Sequence, residues 1–442
     1  MIYLTCHDII DKREWESDNI MKILGKQVKN TIIDKMIIFL LGLYAINIFN
    51  KGAYIAFFFV PFILFRKHSK RSLSTELVVT TFLLLLFSVV YASCVRFYGF
   101  SESITVIVSY ALAPTIMYLL GYTFIDNKNQ YNKMFSVFFT IAMGTLMFAF
   151  LSVLKTSSLY GSLDNAFYSL GKRDVFSFWG QNNITVTGLN TYVSFSAAIV
   201  PLIFFENKKM KYIKITKTLI VINYLISLYI ILQTGSRTGI LILISSILTS
   251  FFIVLSKRKK TIKKISKKKV ISTYLLGCFF ILIIITFIGN SQGIIEQIEN
   301  SLTIQRLQNT QAVDDPRIQV WKEAFVGIYR NPLGGRQTHL SLDYAHNLWL
   351  DVGYDAGIIP FLLIIIITTI GLISVVRILL KDYSAFLKTL VVTTFSSIFI
   401  IFLLEPIMQG WFYYFVVFCL FMGVLHKLIF LDRNSRYNKN IR

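Results

Sequence analysis

Apolar runs of about 20 residues recur along nearly the whole chain, and this recurrence decides what it can fold into. A helix needs a run of that length to cross a hydrocarbon layer about 30 Å thick. The chain is 55% hydrophobic and only 15% charged, too few charges for a soluble domain of 442 residues. The sequence therefore predicts an all-α integral membrane protein of about twelve spans. They fall near 31–49, 52–66, 74–94, 104–125, 132–154, 189–206, 215–234, 237–255, 270–289, 357–380, 387–404 and 411–430. Several are short or end on glycine, which leaves room for one re-entrant segment.

The net charge of +22 raises the question of nucleic acid, but the cations stand in short blocks between apolar runs. That is the distribution of cytoplasmic loops under the positive-inside rule, and no nucleic-acid partner is expected. Placing the N-terminus inside puts Arg66 to Arg71, Lys208 to Lys217, Lys257 to Lys269 and Arg377 to Lys388 inside as well. An even number of spans then returns the basic tail, 431–442, to the cytoplasm. The expected organisation is a cytoplasmic segment 1–30, a membrane domain 31–430 with extracytoplasmic loops 155–188 and 290–356, and that tail. Residues 1–20 differ in character from the rest, and Met21 with Lys22, Lys26 and Lys29 reads as a natural start. Cys6, Cys94, Cys278 and Cys419 are too scattered for a disulfide framework or a zinc site.

This topology gathers the polar residues outside. One is the tight turn Gly235-Ser236-Arg237 at the start of a helix. Helix N-terminal N–H groups with a guanidinium make an anion site, and Gly235 lets a ligand approach the backbone. An arginine snorkelling to headgroups is the other reading. The long loop carries Arg306, Arg317 and Arg336. From Arg317 through Trp321, Phe325 and Ile328 the spacing is that of an amphipathic helix, opened by Asp315 and Pro316. Spacing alone favours reading Arg317 as a solvated charge on that helix. Asp314 and Asp315 have no third ligand at metal spacing, so no protein-built metal site is expected.

His346 stands at the mouth of the tenth span, followed by Asn347, Asp351 and Asp355. An imidazole suits proton abstraction from a hydroxyl, and it suits a structural hydrogen bond as well. The two aspartates fit either imidazole orientation and sugar binding or a helix surface. Tyr344, Trp349 and Trp179 fit sugar stacking or the interfacial aromatic belt.

Three blocks taken together resemble the O-antigen ligase and O-antigen polymerase superfamily. They are Gln233 to Gly239; Arg317 to Trp321 with Asn331-Pro332-Leu333-Gly334-Gly335; and His346 to Leu350 with Gly357-Ile358-Ile359. The likeness covers about Gly188 to Leu380. It implies a membrane glycosyltransferase bundle (GT-C-like) in a bacterial cytoplasmic membrane, with its site facing away from the cytoplasm and no metal or other cofactor. The implied donor is a glycan on undecaprenyl diphosphate, and the implied acceptor is a glycan on a lipid carrier. Membrane lipids surround the protein, and a chain-length regulator or flippase would be its partners. Arg237 and Arg317 would clamp the diphosphate and His346 would be the general base. Arg306, Arg336, Gly235, Ser236, Asn347 and Asp351 would bind substrate.

The resemblance implies polymerisation of repeat units into a capsule, exopolysaccharide or O-antigen. Direct, inverting displacement follows because no carboxylate is clearly placed to form a glycosyl intermediate. Ligation of a finished glycan to a lipid or protein acceptor is the alternative. The Gly-Ser before Arg237 departs from the tighter Gln-Thr-Arg of some ligases. A lipid-sugar flippase fits less well, since charges within the spans are few and no repeat is visible.

Overall fold

The computed structural model describes residues 31–65, 74–126, 131–205, 213–258 and 316–440. Among them, eight helices are long and apolar enough to cross a membrane. They are α3 (Thr75–Phe97), α4 (Ile104–Phe124), α5 (Tyr131–Tyr160), α7 (Val186–Ile199, prolonged by a 3-10 turn to Phe204), α8 (Ile213–Thr234), α12 (Ile358–Leu380), α13 (Ala385–Leu404) and α14 (Phe412–Asn440). Helix α1 covers 31–45. It ends sooner than the sequence reading expects, because Asn47, Phe49 and Asn50 take left-handed backbone angles. The apolar helix α2 (Gly52–Phe65) and the apolar part of α9 (Arg237–Arg258) are shorter. The expected span 270–289 lies outside the described residues.

The packing explains why these runs form one bundle rather than separate hairpins. Helices α4 and α14 pack most extensively. A Cβ on Gly121 would meet the Leu420 carbonyl oxygen at 2.1 Å, and one on Gly423 would meet that of Tyr118 at 2.1 Å. Only hydrogen fits at these two points, so the backbones touch, as small residues allow between membrane helices. Around this contact Phe138 stacks on Phe421 and Phe195 on Tyr414.

The charges separate to opposite ends of the bundle. At one end Glu76 pairs with Arg377 and Arg433, and Lys381 pairs with Asp432. At the other end the connections build structure that the all-α reading leaves out. Helix α5 runs on to Tyr160, and α6 (Leu163–Leu170) follows. An antiparallel hairpin then forms from β1 (Asp174–Phe176) and β2 (Asn183–Thr185). Each strand is three residues long, too short to show a period of two. Lys155 fastens this hairpin, its ammonium donating to the carbonyls of Ser177, Phe178 and Gly180.

Helix α10 (Pro316–Arg330) starts at the expected proline. Its buried stripe, however, is Val320, Ala324 and Ile328, while Phe325 is 62% exposed. Val320 and Ala324 pack with Leu340 and Ala345, so the helix face is fixed by the loop that carries His346. Helix α11 (Leu348–Ala356) then leads into α12. The Asn331–Gly335 block docks on that junction. Ile358 N–H donates to the Pro332 carbonyl, and Gly335 N–H donates to that of Asp355. Cβ atoms on Gly334 or Gly357 would lie within 2.5 Å or less of facing backbone.

Candidate active site

Helix α8 ends and α9 begins within two residues. Gly235 is left-handed at φ 64°, and Ser236 N–H reaches back to the Ile231 carbonyl while Gly235 N–H reaches that of Leu232. This is a Schellman reversal. The Ser236 hydroxyl accepts from Gly239 N–H at 2.9 Å and so caps α9. Gly235 and Ser236 therefore shape the turn, and Arg237 emerges as the first residue of α9.

Beside this turn lies a cavity of about 460 Å³. Arg237 and Arg317 both line it, together with Gly235, Ser236, Thr238 and Asn190. The sequence separates the two arginines by 80 positions, and the fold brings them to one space. A third guanidinium, Arg173, joins them. It stands just before β1, and its carbonyl accepts from Val186 N–H, the first residue of α7, at 3.0 Å. Its side chain donates to the carbonyls of Thr234 and Gly235, a cation at the C-terminus of α8. The hairpin is thus the device that delivers Arg173.

Three helices begin at this cavity: α7 with Val186 and Thr187, α9 with Arg237, and α10 with Arg317. Their N-terminal partial charges add to the three guanidiniums. Asn190, 4% exposed, has a buried side-chain oxygen with no hydrogen-bond partner. The arrangement favours an anion, and a phosphate-rich one by its size and number of donors.

His346 does not line this cavity; it stands one step away. Arg317 and Trp321 are one turn apart on α10 and share a face. The Trp321 indole donates to the Ala345 carbonyl at 2.9 Å, tying the residue before His346 to the helix that holds Arg317. His346 itself has φ 53°, a left-handed angle that costs a branched or bulky residue about 1–3 kcal/mol.

Asp351 maintains that angle. It is 1% exposed, and its two oxygens accept from Ala345 N–H at 2.8 Å and Asn347 N–H at 3.0 Å, the amides on either side of His346. Burial pushes its carboxyl well above the usual carboxylate range, the charge of Asp355 adds to this, and the two N–H bonds oppose it. Both oxygens are engaged by backbone, and Asp351 positions the histidine loop. Asn347 is engaged by the same loop. It is 6% exposed, and its side-chain oxygen caps α11 by accepting from Leu350 N–H at 3.2 Å. Asp351→Ala strips two buried amides of their acceptor, at about 1–3 kcal/mol each. The expected result is a lower melting temperature and a lower kcat with the donor KM unchanged, measured on the same purified protein.

Arg336 is held next to this loop rather than in the cavity. Its Nε donates to Asp355 at 2.8 Å, and its guanidinium lies 4.1 Å from the Phe100 ring centre. Asp355 also accepts from Tyr91 and from Gln409. Burial raises the Asp355 carboxyl, and Arg336, Tyr91 and Gln409 counter it. This ion pair joins α3, α11 and the one-turn helix Ile407–Gly410. Arg336 has its Nε committed to this ion pair. Arg306 lies outside the described residues.

Two groups were not picked out by sequence reasoning. Arg173 sits in Lys172-Arg173-Asp174, and an arginine beside a short hairpin carries no periodic signal. Glu405 closes α13 just beyond Leu404, itself a lining residue, and is 0% exposed. Burial pushes its carboxyl up to about 7, against the pull of Arg317 and Thr187. A lone acid at the end of an apolar run is the signal that marks it.

No curated protein matches the chain. Residues 222–365 match the model of a family, Wzy_C, described as O-antigen ligase. That segment contains Arg237, Arg317, Arg336, His346 and Asp351, whereas Arg173 and Glu405 fall outside it. Over that segment, about a third of the chain, the protein is similar to the O-antigen ligase family.

Proposed function

We propose that the protein moves a glycan from a polyprenyl diphosphate to a hydroxyl acceptor on the outer face of a bacterial cytoplasmic membrane, extending lipid-linked repeat units into a surface polysaccharide. The observation that carries this reading is the cavity in which Arg173, Arg237 and Arg317 meet three helix N-termini. The leaving diphosphate gains negative charge as the C1–O bond breaks. Fixed cations beside it stabilise that charge without reorganising. One guanidinium–phosphate pair near 4 Å is worth about 4 kcal/mol at an effective dielectric of about 20. His346, tethered through Ala345 to the helix that carries Arg317, takes the proton of the attacking hydroxyl. The acceptor then enters from the histidine loop and the lipid-linked donor from the cavity.

The family description favours a second reading, transfer of a finished glycan to a different acceptor. The two share donor chemistry and differ in what attacks. Purified protein in proteoliposomes, supplied only with carrier-linked repeat units, is expected to yield a ladder of products on a gel. A single product that forms only when a lipid or protein acceptor is added would replace polymerisation with ligation. No transfer under either condition would remove both.

A further inference from the structure

Glu405 is the buried acid that the proposed transfer leaves unused. Both of its oxygens are buried and lack a hydrogen-bond partner of normal geometry. An ionised carboxylate so placed is costly unless a neighbouring charge compensates it. The groups acting on it are Arg317 from α10 and the neutral Thr187 from α7. Both line the cavity. The turn Ile407–Gly410 brings no charge of its own but holds Asp355 through Gln409; of the helices packed on α13, α9 brings Arg237, which lines the same cavity, and α11 brings Asp351 and Asp355. Glu405 follows the lining residue Leu404 directly, so it stands at the edge of the cavity, and the charge that acts on it, Arg317, belongs to the lining.

We propose that Glu405 is a positioning residue that adjusts the charge of the cavity to a diphosphate diester by taking up a proton as the anion enters. The inference rests on the anion-site reading given under Proposed function and goes beyond it. Before the anion enters, the Glu405 carboxylate offsets the charge of Arg317. An entering diphosphate competes for the same guanidinium and sets a second negative charge near the first. Like charges at close range favour protonation of the group that can accept it. Once Glu405 is neutral, the whole charge of Arg317 is available to the ligand. Departure of the anion returns the proton, so uptake and release follow the cycle of donor binding and carrier release.

The direction of the pH effect follows from linkage. The bound state holds Glu405 more firmly protonated than the free state, so binding takes up protons and tightens as pH falls. The window opens above the free-state value of about 7. Below it Glu405 is already protonated and affinity levels off. Above it affinity falls by at most about tenfold per pH unit, the limit for one proton.

The test is titration calorimetry of the full-length protein in detergent with a water-soluble dialkyl diphosphate. Each phosphoryl of that probe is esterified and has no ionisation near neutral pH, so its own charge stays constant. Measured in two buffers of different ionisation enthalpy at about pH 8, the wild type is expected to take up a fraction of a proton on binding, and Glu405→Gln none. Glu405→Gln should also bind the probe with an affinity that does not vary with pH, at or above that of the wild type. Binding without proton uptake by the wild type would overturn the role of Glu405 and leave the anion site standing, whether or not the variant folds. Equal uptake by wild type and a folded Glu405→Gln would overturn it too. Absence of binding by the wild type at every pH would overturn the anion site and the inference together.

Discussion

Arg237→Ala and Arg317→Ala are each expected to lower glycan transfer by about 10²–10³-fold, the usual loss when one fixed donor to a developing charge is removed. The protein should still reach the membrane in normal amount, because neither side chain caps its helix or belongs to a buried stripe. Arg237 is the first residue of α9, and the cap of that helix is Ser236. Arg317 is the first residue after the proline that opens α10, and the buried stripe of that helix starts at Val320. Both losses should appear as weaker binding of a dialkyl diphosphate as well as slower turnover. Arg→Lys should rescue poorly at either site, because an ammonium does not make the paired contact a guanidinium makes to phosphate. Arg173→Ala differs in kind. It removes a cavity cation and also the donor to the Thr234 and Gly235 carbonyls, so it should lower thermal stability where the other two do not. Normal transfer by both Arg237→Ala and Arg317→Ala would leave the cavity without a role in catalysis.

Eight of the expected spans were legible among the described residues because a membrane imposes one demand, length and apolarity, and the sequence shows it directly. The extramembrane connections obey no such single rule. Hairpin strands of three residues are shorter than the pattern that reveals a strand, so β1 and β2 were hidden, and Arg173 with them. The Gly235-Ser236-Arg237 turn was readable because glycine, a capping serine and a cation each act locally. The convergence of Arg317 on that turn depends on how α10 packs, which spacing does not give. Helix α10 also shows what spacing leaves open. It bears apolar residues on the side against the Leu340–Ala345 loop and on the exposed side, so Phe325 fitted the period and still faces outward. Asp351 was noticed for its nearness to His346, with orientation of the imidazole and sugar binding both open. A carboxylate on a short helix can point at a ligand or back at its own loop, and only the closed loop decides.

The same loop sets how His346 must be tested. His346→Ala is expected to lower kcat by about 10²–10⁴-fold, the range for loss of a positioned general base, with diphosphate binding unchanged. Alanine alone leaves an ambiguity, since residue 346 has φ 53° and any substitution perturbs a strained position. Asparagine tolerates left-handed angles better than most residues and lacks a group that titrates near neutral pH. His346→Asn should therefore keep the amide contacts of Ala345 and Asn347 with Asp351, hold its melting temperature near that of the wild type, and still be as slow as His346→Ala. The contrast with the arginine variants assigns the roles: loss of binding at Arg237 and Arg317, loss of turnover alone at His346. A His346→Asn protein that makes full-length product at the wild-type rate would show that the site needs the shape of this loop and not its imidazole. The base would then have to be sought among the groups around Arg317.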